Sequence, residues 1–253
     1  MATEIFTYQQ ELGEEQSATI KVFCPETKVP KEGFPVIFIL DGSAYFSMFC
    51  DLISLQSRRT EKTGIPAAIV VGICAEGEAP FPKRRIYDFT PNINPCIWPK
   101  RPDGTDWPEH GGADYTIKLL KDVKKEINAR YKINFNESIL FGHSLGGLFT
   151  SYVLLNDADL FSHYYIASPS LWWNQQWLLK QKFNLTKSSQ KIYIAVEQQD
   201  KHDMHDLAYK YYQKLLAHYV ETVFDNPQDE NHMSIVPTTM SRALRFLWKD
   251  VEH

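Results

Sequence analysis

The stretch that most constrains this 253-residue chain is Ser138-Ile139-Leu140-Phe141-Gly142-His143-Ser144-Leu145-Gly146-Gly147. An apolar run of strand type stops one residue short of a G-x-S-x-G pattern, and Leu148, Tyr152 and Leu155 follow it at helical spacing. A strand that turns this sharply into a helix holds the serine oxygen clear of a sheet. The flanking residues must then be glycines, because neighbouring chain passes too close for side chains. The bare pattern is common by chance. The strand before it and the helix after it give it weight.

The rest of the chain fits around that turn. Residues 17–24 (SATIKVFC) alternate polar and apolar, as a half-buried strand does. Residues 35–40 and 66–71 are short continuous apolar runs, the pattern of strands covered on both faces. Further strands are expected at 138–141, 163–167 and 191–196. Helices are expected near 44–58, 113–130, 145–156, 203–218 and 237–251. Strands alternating with helices imply an α/β fold, with a mostly parallel central sheet and helices on both faces. No linker or repeat divides residues 1–253, so one domain is expected. Residues 76–112 break the rhythm with Pro, Gly, charge and five large aromatics (Phe81, Tyr87, Phe89, Trp98, Trp107). That is too aromatic for a disordered linker and suits a lid-like loop on the substrate side.

Composition narrows the class. The chain is 43% apolar and 23% charged, with 27 basic against 31 acidic residues and a net charge of −4. No basic stripe supports a nucleic-acid partner. No apolar run reaches the roughly 18–20 residues of a membrane span. The first residues lack a basic and then apolar leader. Cys24, Cys50, Cys74 and Cys96 are scattered and suit reduced thiols. A soluble, cytoplasmic enzyme or binding domain is expected.

A serine hydroxyl is a poor nucleophile until a base takes its proton. In folds that carry this turn the chain order is Ser, acid, His. Among the later histidines, His163 falls in an expected strand, His202 and His205 open a helix, His218 ends one, and His253 is terminal. His232 lies in a polar loop before the last helix, from which it can reach over the sheet edge toward Ser144. The orienting acid should follow the strand ending at Val196. Glu197 and Asp200 both do, and Asp200, further into the loop, is preferred. An oxyanion needs two donors. One is the N–H of Leu145, and the other comes from the Leu40-Asp41-Gly42-Ser43 segment, where a helix starts. Asp41 reads as a turn organiser. His202 and His205 lie near Asp200, Asp203 and Asp206, a spacing that suits a solvated helix start better than a zinc site.

Several segments recur together in one family. They are the Gly-His-Ser-Leu-Gly-Gly turn, Leu40-Asp41-Gly42, Arg84-Arg85-Ile86-Tyr87-Asp88-Phe89-Thr90-Pro91, Gly111-Gly112-Ala113-Asp114 and Ser168-Pro169-Ser170-Leu171-Trp172-Trp173. In that order they resemble the putative-esterase branch of the α/β-hydrolases, and more narrowly the ferric-siderophore trilactone esterases. The resemblance implies Ser144 as nucleophile, His232 as base, and N–H donors at Gly42 or Ser43 and at Leu145. It implies no metal or organic cofactor. Where the family commonly has Val-Gly-x-x-Glu, this chain has Val196-Glu197-Gln198-Gln199-Asp200, which puts Asp200 at the family's carboxylate. Some members resemble Ser-His dyads, so an absent acid stays open. The missing leader fits a cytoplasmic member.

The resulting expectation is a serine carboxylic-ester hydrolase acting through an acyl-enzyme on siderophore-type or other aryl and acyl esters. Two alternatives stand beside it: a general short-chain carboxylesterase or thioesterase, and a non-catalytic member that only binds. For a catecholate ester, Arg84 and Arg85 would supply positive charge, and Trp172 and Trp173 flat apolar surface.

Overall fold

A computed structural model describes residues 3–10, 16–75, 79–101, 104–183, 185, 190–198, 203–218, 220–249 and 251. Its centre is one sheet of eight strands: β1 (Thr3–Gln10), β2 (Gln16–Phe23), β3 (Phe34–Ile39), β4 (Ile69–Ala75), β5 (Ile133–His143), β6 (His163–Ala167), β7 (Lys191–Ala195) and β8 (Glu221–Asp225). The spatial order is β1-β2-β4-β3-β5-β6-β7-β8. The β1–β2 and β2–β4 pairs are antiparallel, and every pair from β4 to β8 is parallel. The helices are α1 (Gly42–Gln56), α2 (Thr60–Thr63), α3 (Arg85–Asp88), α4 (Ala113–Arg130), α5 (Leu145–Asn156), α6 (Trp173–Lys180), α7 (Met204–Leu216) and α8 (Ile235–Leu247). None of the described helices is long and apolar enough to cross a membrane.

The apolar runs are continuous because successive strand residues feed two different cores. Phe38, Leu140, Tyr164, Ile166, Ile192 and Ile194 pack on one face with residues of α4, α5 and α7. Their chain neighbours Ile37, Ile39, Ile139, Phe141, Tyr165 and Tyr193 pack on the other with residues of α1 and α8. The α/β expectation therefore holds, with helices on both faces.

Three details differ from the sequence expectation. The fourth strand begins at Ile69, where residues 66–71 had suggested Pro66, and it runs on to Ala75. It accommodates Gly72 because α1 lies so close that a Cβ there would meet the Phe46 ring at 2.8 Å. β1 and β8 were not foreseen. β8 (Glu221-Thr222-Val223-Phe224-Asp225) is an edge strand with no fully buried residue, so it lacks the apolar run that marks its neighbours. α6 was also missed. Its first turn is left-handed, with φ of 45°, 53° and 63° at Asn174, Gln175 and Gln176, a conformation that sequence periodicity does not announce.

Register places the site. His143, Ala167, Ala195 and Asp225 lie side by side across β5, β6, β7 and β8. The residues that follow each of them therefore collect along one edge of the sheet.

Candidate active site

The first of these residues is Ser144. It sits between β5 and α5 with φ 59° and ψ −116°, a region that side-chain-bearing residues enter only when their surroundings force them. The flanking glycines show the force. A Cβ on Gly142 would lie 2.2 Å from the Gly146 carbonyl oxygen, and one on Gly147 would lie 2.9 Å from the Ala167 carbonyl oxygen. The Ser144 N–H donates to the Ala167 carbonyl (3.0 Å), and its own carbonyl accepts from the N–H groups of Leu148 (2.9 Å) and Ser170 (3.0 Å). The side chain stays partly exposed, with its Oγ 3.4 Å from Ser170 Oγ.

Glu197 follows β7. Its side chain is fully buried, and its Oε1 accepts from His232 Nδ1 at 2.8 Å. Ser168, just after β6 and held at φ 39°, donates its hydroxyl to the other oxygen. Burial alone would raise the Glu197 carboxyl, but the bonds from His232, Ser168 and its own main-chain N–H outweigh it and hold the group below its ordinary 4.5. His232 itself is shaped by its neighbour. Asn231 accepts on Oδ1 from the N–H groups of Met233 (2.9 Å) and Ser234 (3.3 Å), and its N–H donates to Ser234 Oγ (2.9 Å). That local turn presents His232 just before α8 begins. Its ring lies 4.5 Å, centroid to centroid, from the ring of His143, the residue preceding the serine.

The preferred acid of the sequence reading, Asp200, lies outside the described residues. The hydrogen bond it was expected to make is made by Glu197. Asp200 has more loop with which to swing inward, but that reach is not needed. Because β7 ends level with its neighbours, a carboxylate two residues past Ala195 is already over the edge. Ser168 carries no motif of its own beyond the Ser-Pro-Ser-Leu-Trp-Trp segment. Its partnership with Glu197 depends on the alignment of β6 and β7 and has no local signal.

Near Ser144, α1 and α5 both begin at this edge. Leu145 is the first residue of α5 and Ser43 the second of α1, so neither N–H has an acceptor within its own helix. Gly42 lies flat against β4. A Cβ there would meet Cys74 Sγ at 2.8 Å. Asp41 turns the chain at φ 50°, and its carbonyl accepts from Ala44 (2.9 Å) and Tyr45 (3.2 Å). Two helix starts facing a strained serine, with a histidine–carboxylate pair beside it, can deprotonate a hydroxyl and stabilise an oxyanion.

The chain matches the family described as "Putative esterase" over residues 11–221. It belongs to that esterase family. It is 40% identical over 235 residues to the ferri-bacillibactin esterase BesA of Bacillus subtilis, covering 88% of this chain and 81% of that one. The crystal structure of the BES protein from Bacillus cereus is similar at a TM-score of 0.90 and 34% identity, covering 97% of this chain and 95% of that one. The enterobactin and salmochelin hydrolase IroE shares the fold at a TM-score of 0.77 and 22% identity, covering 98% and 95%. The protein is an α/β-hydrolase and a carboxylic-ester hydrolase.

The residues expected to meet substrate already have partners within the chain. Arg85 donates from Nε and Nη2 to the two oxygens of buried Asp41 (2.8 and 2.7 Å), and Nη2 also approaches the His143 carbonyl (3.4 Å). Its fork is thereby engaged, tying α3 to the Asp41 turn and to the turn at Ser144. Arg84 pairs with Asp88 at 3.2 Å on the surface. Trp173 is wholly buried, whereas Trp172 is half-buried. Trp172 closes an aromatic group with the stacked pair Trp98 and Trp107, whose centroids are 4.4 Å apart. Asn174 accepts from the Ile97 N–H at 2.9 Å and fastens the long loop to α6. Of the suggested zinc residues, His202 lies outside the described residues. His205 contacts Asp206 and Asn226. Among the described residues no three His, Cys, Asp or Glu side chains gather as metal ligands.

Proposed function

We propose that this esterase is a serine hydrolase that cleaves siderophore-type esters through an acyl-enzyme. The observation that carries the reading is the buried Glu197 bonded at 2.8 Å to His232 beside the strained Ser144. Ser144 Oγ attacks the ester carbonyl while its proton passes to His232 Nε2. The oxyanion is received by the N–H groups of Leu145 and of Gly42 or Ser43. The C–O bond then breaks, and His232 returns the proton to the departing alkoxide. Water attacks the acyl-serine by the same route and releases the acid. Glu197 fixes the His232 proton on Nδ1 and stabilises the imidazolium that forms.

The siderophore class is supported by what the relatives are named for, and by the half-buried Trp98, Trp107 and Trp172, flat surfaces suited to aryl groups. The occupied fork of Arg85 and the burial of Trp173 favour a second reading, a general short-chain carboxylesterase or thioesterase, because they remove two of the four features offered for selectivity. The same proposal takes residues 1–253 as one domain with 76–112 as a substrate-side excursion, supported by the Ile97–Asn174 tie. It places the protein in the cytoplasm, supported by four free cysteines. A panel of catecholate trilactones, p-nitrophenyl esters and S-formylglutathione, ranked by kcat/KM, tests the substrate. A fluorophosphonate probe that labels wild type but not Ser144→Ala tests the nucleophile. Failure to label would leave a binding protein.

A further inference from the structure

One hydrogen bond does not fix a ring. Among the described residues His232 is held by Glu197 through Nδ1, and its side chain is 36% exposed, so the ring could pivot about that bond. A pivot would carry Nε2 away from Ser144 while leaving the pair with Glu197 intact. Something must set the plane of the ring.

His143 is placed to do so. It is 2% exposed, and its ring meets that of His232 at 4.5 Å with a tilt of 43°. It is itself anchored. Tyr45 Oη lies 2.8 Å from His143 Nδ1, and Arg85 reaches its carbonyl at 3.4 Å. Its Nε2 feels the His232 main chain without closing a hydrogen bond of normal geometry. Behind it the contacts continue outward, from His143 to Tyr45 at 5.8 Å and from Tyr45 to Phe81 of the long loop at 5.9 Å. A ladder of rings thus runs from that loop to His232.

We infer that His143 is a positioning residue for ester hydrolysis, its ring pinned by Tyr45 so that the His232 ring rests against it in line with Ser144. This rests on the serine-hydrolase reading above. The wall must also be uncharged, because His232 becomes a cation in each half-reaction. Burial, with His232 and Arg85 close by, pushes the His143 pKa down to about 3. The other groups facing it are Tyr45, raised by burial, and Asp41, held by Arg85. A neutral ring presents its π face to the imidazolium, where a charged one would repel it.

The test is steady-state kinetics on a p-nitrophenyl ester for His143→Ala, His143→Phe and Tyr45→Phe, with Ser144→Ala and His232→Ala run alongside. His143→Ala should lower kcat about 30-fold and change KM by less than about threefold, since ground-state binding does not use this ring. His143→Phe restores a ring and should return to within about fivefold of wild type in kcat. Tyr45→Phe leaves the ring but cuts its anchor, and should lose about three- to tenfold in kcat with KM unchanged. The downfield proton resonance of His232 Nδ1–H should broaden in His143→Ala and sharpen again in His143→Phe. Wild-type kcat in His143→Ala, a loss confined to KM, or a Phe variant no better than Ala would overturn the inference. If His143→Ala fails to fold, an unchanged kcat in Tyr45→Phe overturns it. Activity surviving in Ser144→Ala or His232→Ala would instead sink the serine-hydrolase reading itself.

Discussion

The sheet edge that carries Ser144 and Glu197 and the loop running from residue 79 to 112 are held in place by different means. At the edge, position comes from strand register. β5 to β8 end level, so the residue just past each strand is fixed to within a peptide unit. In the loop, position comes from side chains meeting over long chain separations. Trp98 stacks on Trp107, Ile97 is caught by Asn174, and Arg85 grips Asp41. An edge built on register can tolerate a changed side chain and keep its backbone. A loop built on side chains loses its shape when one is removed. In the reading proposed above, chemistry would sit on the first kind of support and selectivity would be left to the second.

The largest effects should come from the edge. Ser144→Ala should lower kcat by roughly 10⁴–10⁶ with little change in thermal unfolding, and His232→Ala should match it because the pair acts as a unit. A His232 variant near wild type would move the base elsewhere. Glu197→Gln should cost up to about 10⁴ in kcat, whereas Asp200→Asn should stay within about threefold. The reverse ranking would return the acid to Asp200, and two small effects would leave a dyad.

Arg85→Ala tests whether the two regions are as separate as they look. Its loss strands the Asp41 carboxylate and should destabilise the fold by about 3 kcal/mol, measured by urea unfolding. It should also lower kcat/KM by about 10–100-fold on a catecholate ester and on p-nitrophenyl acetate alike. A loss confined to the catecholate ester would restore Arg85 to the substrate. Trp107→Ala should raise KM for a catecholate ester by about threefold to tenfold and spare p-nitrophenyl acetate. Equal change on both would mean that the stack only packs the loop.

The smallest effect is a pH dependence of stability. His143 has a folded pKa depressed from 6.5 to about 3, so below pH 6.5 the unfolded chain binds a proton that the folded chain refuses. Its contribution is complete above pH 6.5 and is lost as pH falls toward 3, about 1.5 kcal/mol of it between pH 6.5 and 5. His143→Phe should flatten that part of the stability curve. An unchanged slope would show that His143 takes up its proton in the folded state.

The same contrast decides what was legible in the sequence. Ser144 announced itself because its turn needs glycines at fixed offsets, and His232 because it stands in a polar loop in the required order. The parallel strands showed as apolar runs because both of their faces are buried. The sequence reading preferred Asp200 over Glu197, and the hydrogen bond from His232 goes to Glu197, since the outcome turns on where β7 stops relative to β6, a matter of one or two residues. The pairing of Arg85 with Asp41 had no sequence signal, because the two are 44 residues apart and nothing local links them. β8 and the left-handed start of α6 were missed for a related reason, their shapes being imposed by neighbours.

The aromatic group of the loop also gives this esterase an optical property. Of its six tryptophans, Trp98, Trp107, Trp172, Trp173 and Trp177 form one contact network, and only Trp248 packs on the opposite face, under α8. Indoles this close exchange excitation energy, and a pair stacked at 4.4 Å and 18° couples its transitions. The intrinsic emission and the near-ultraviolet circular dichroism should therefore report chiefly on one corner of the molecule. A change at that corner on ligand addition can be followed without any label, while Trp248 serves as the internal standard for the remainder.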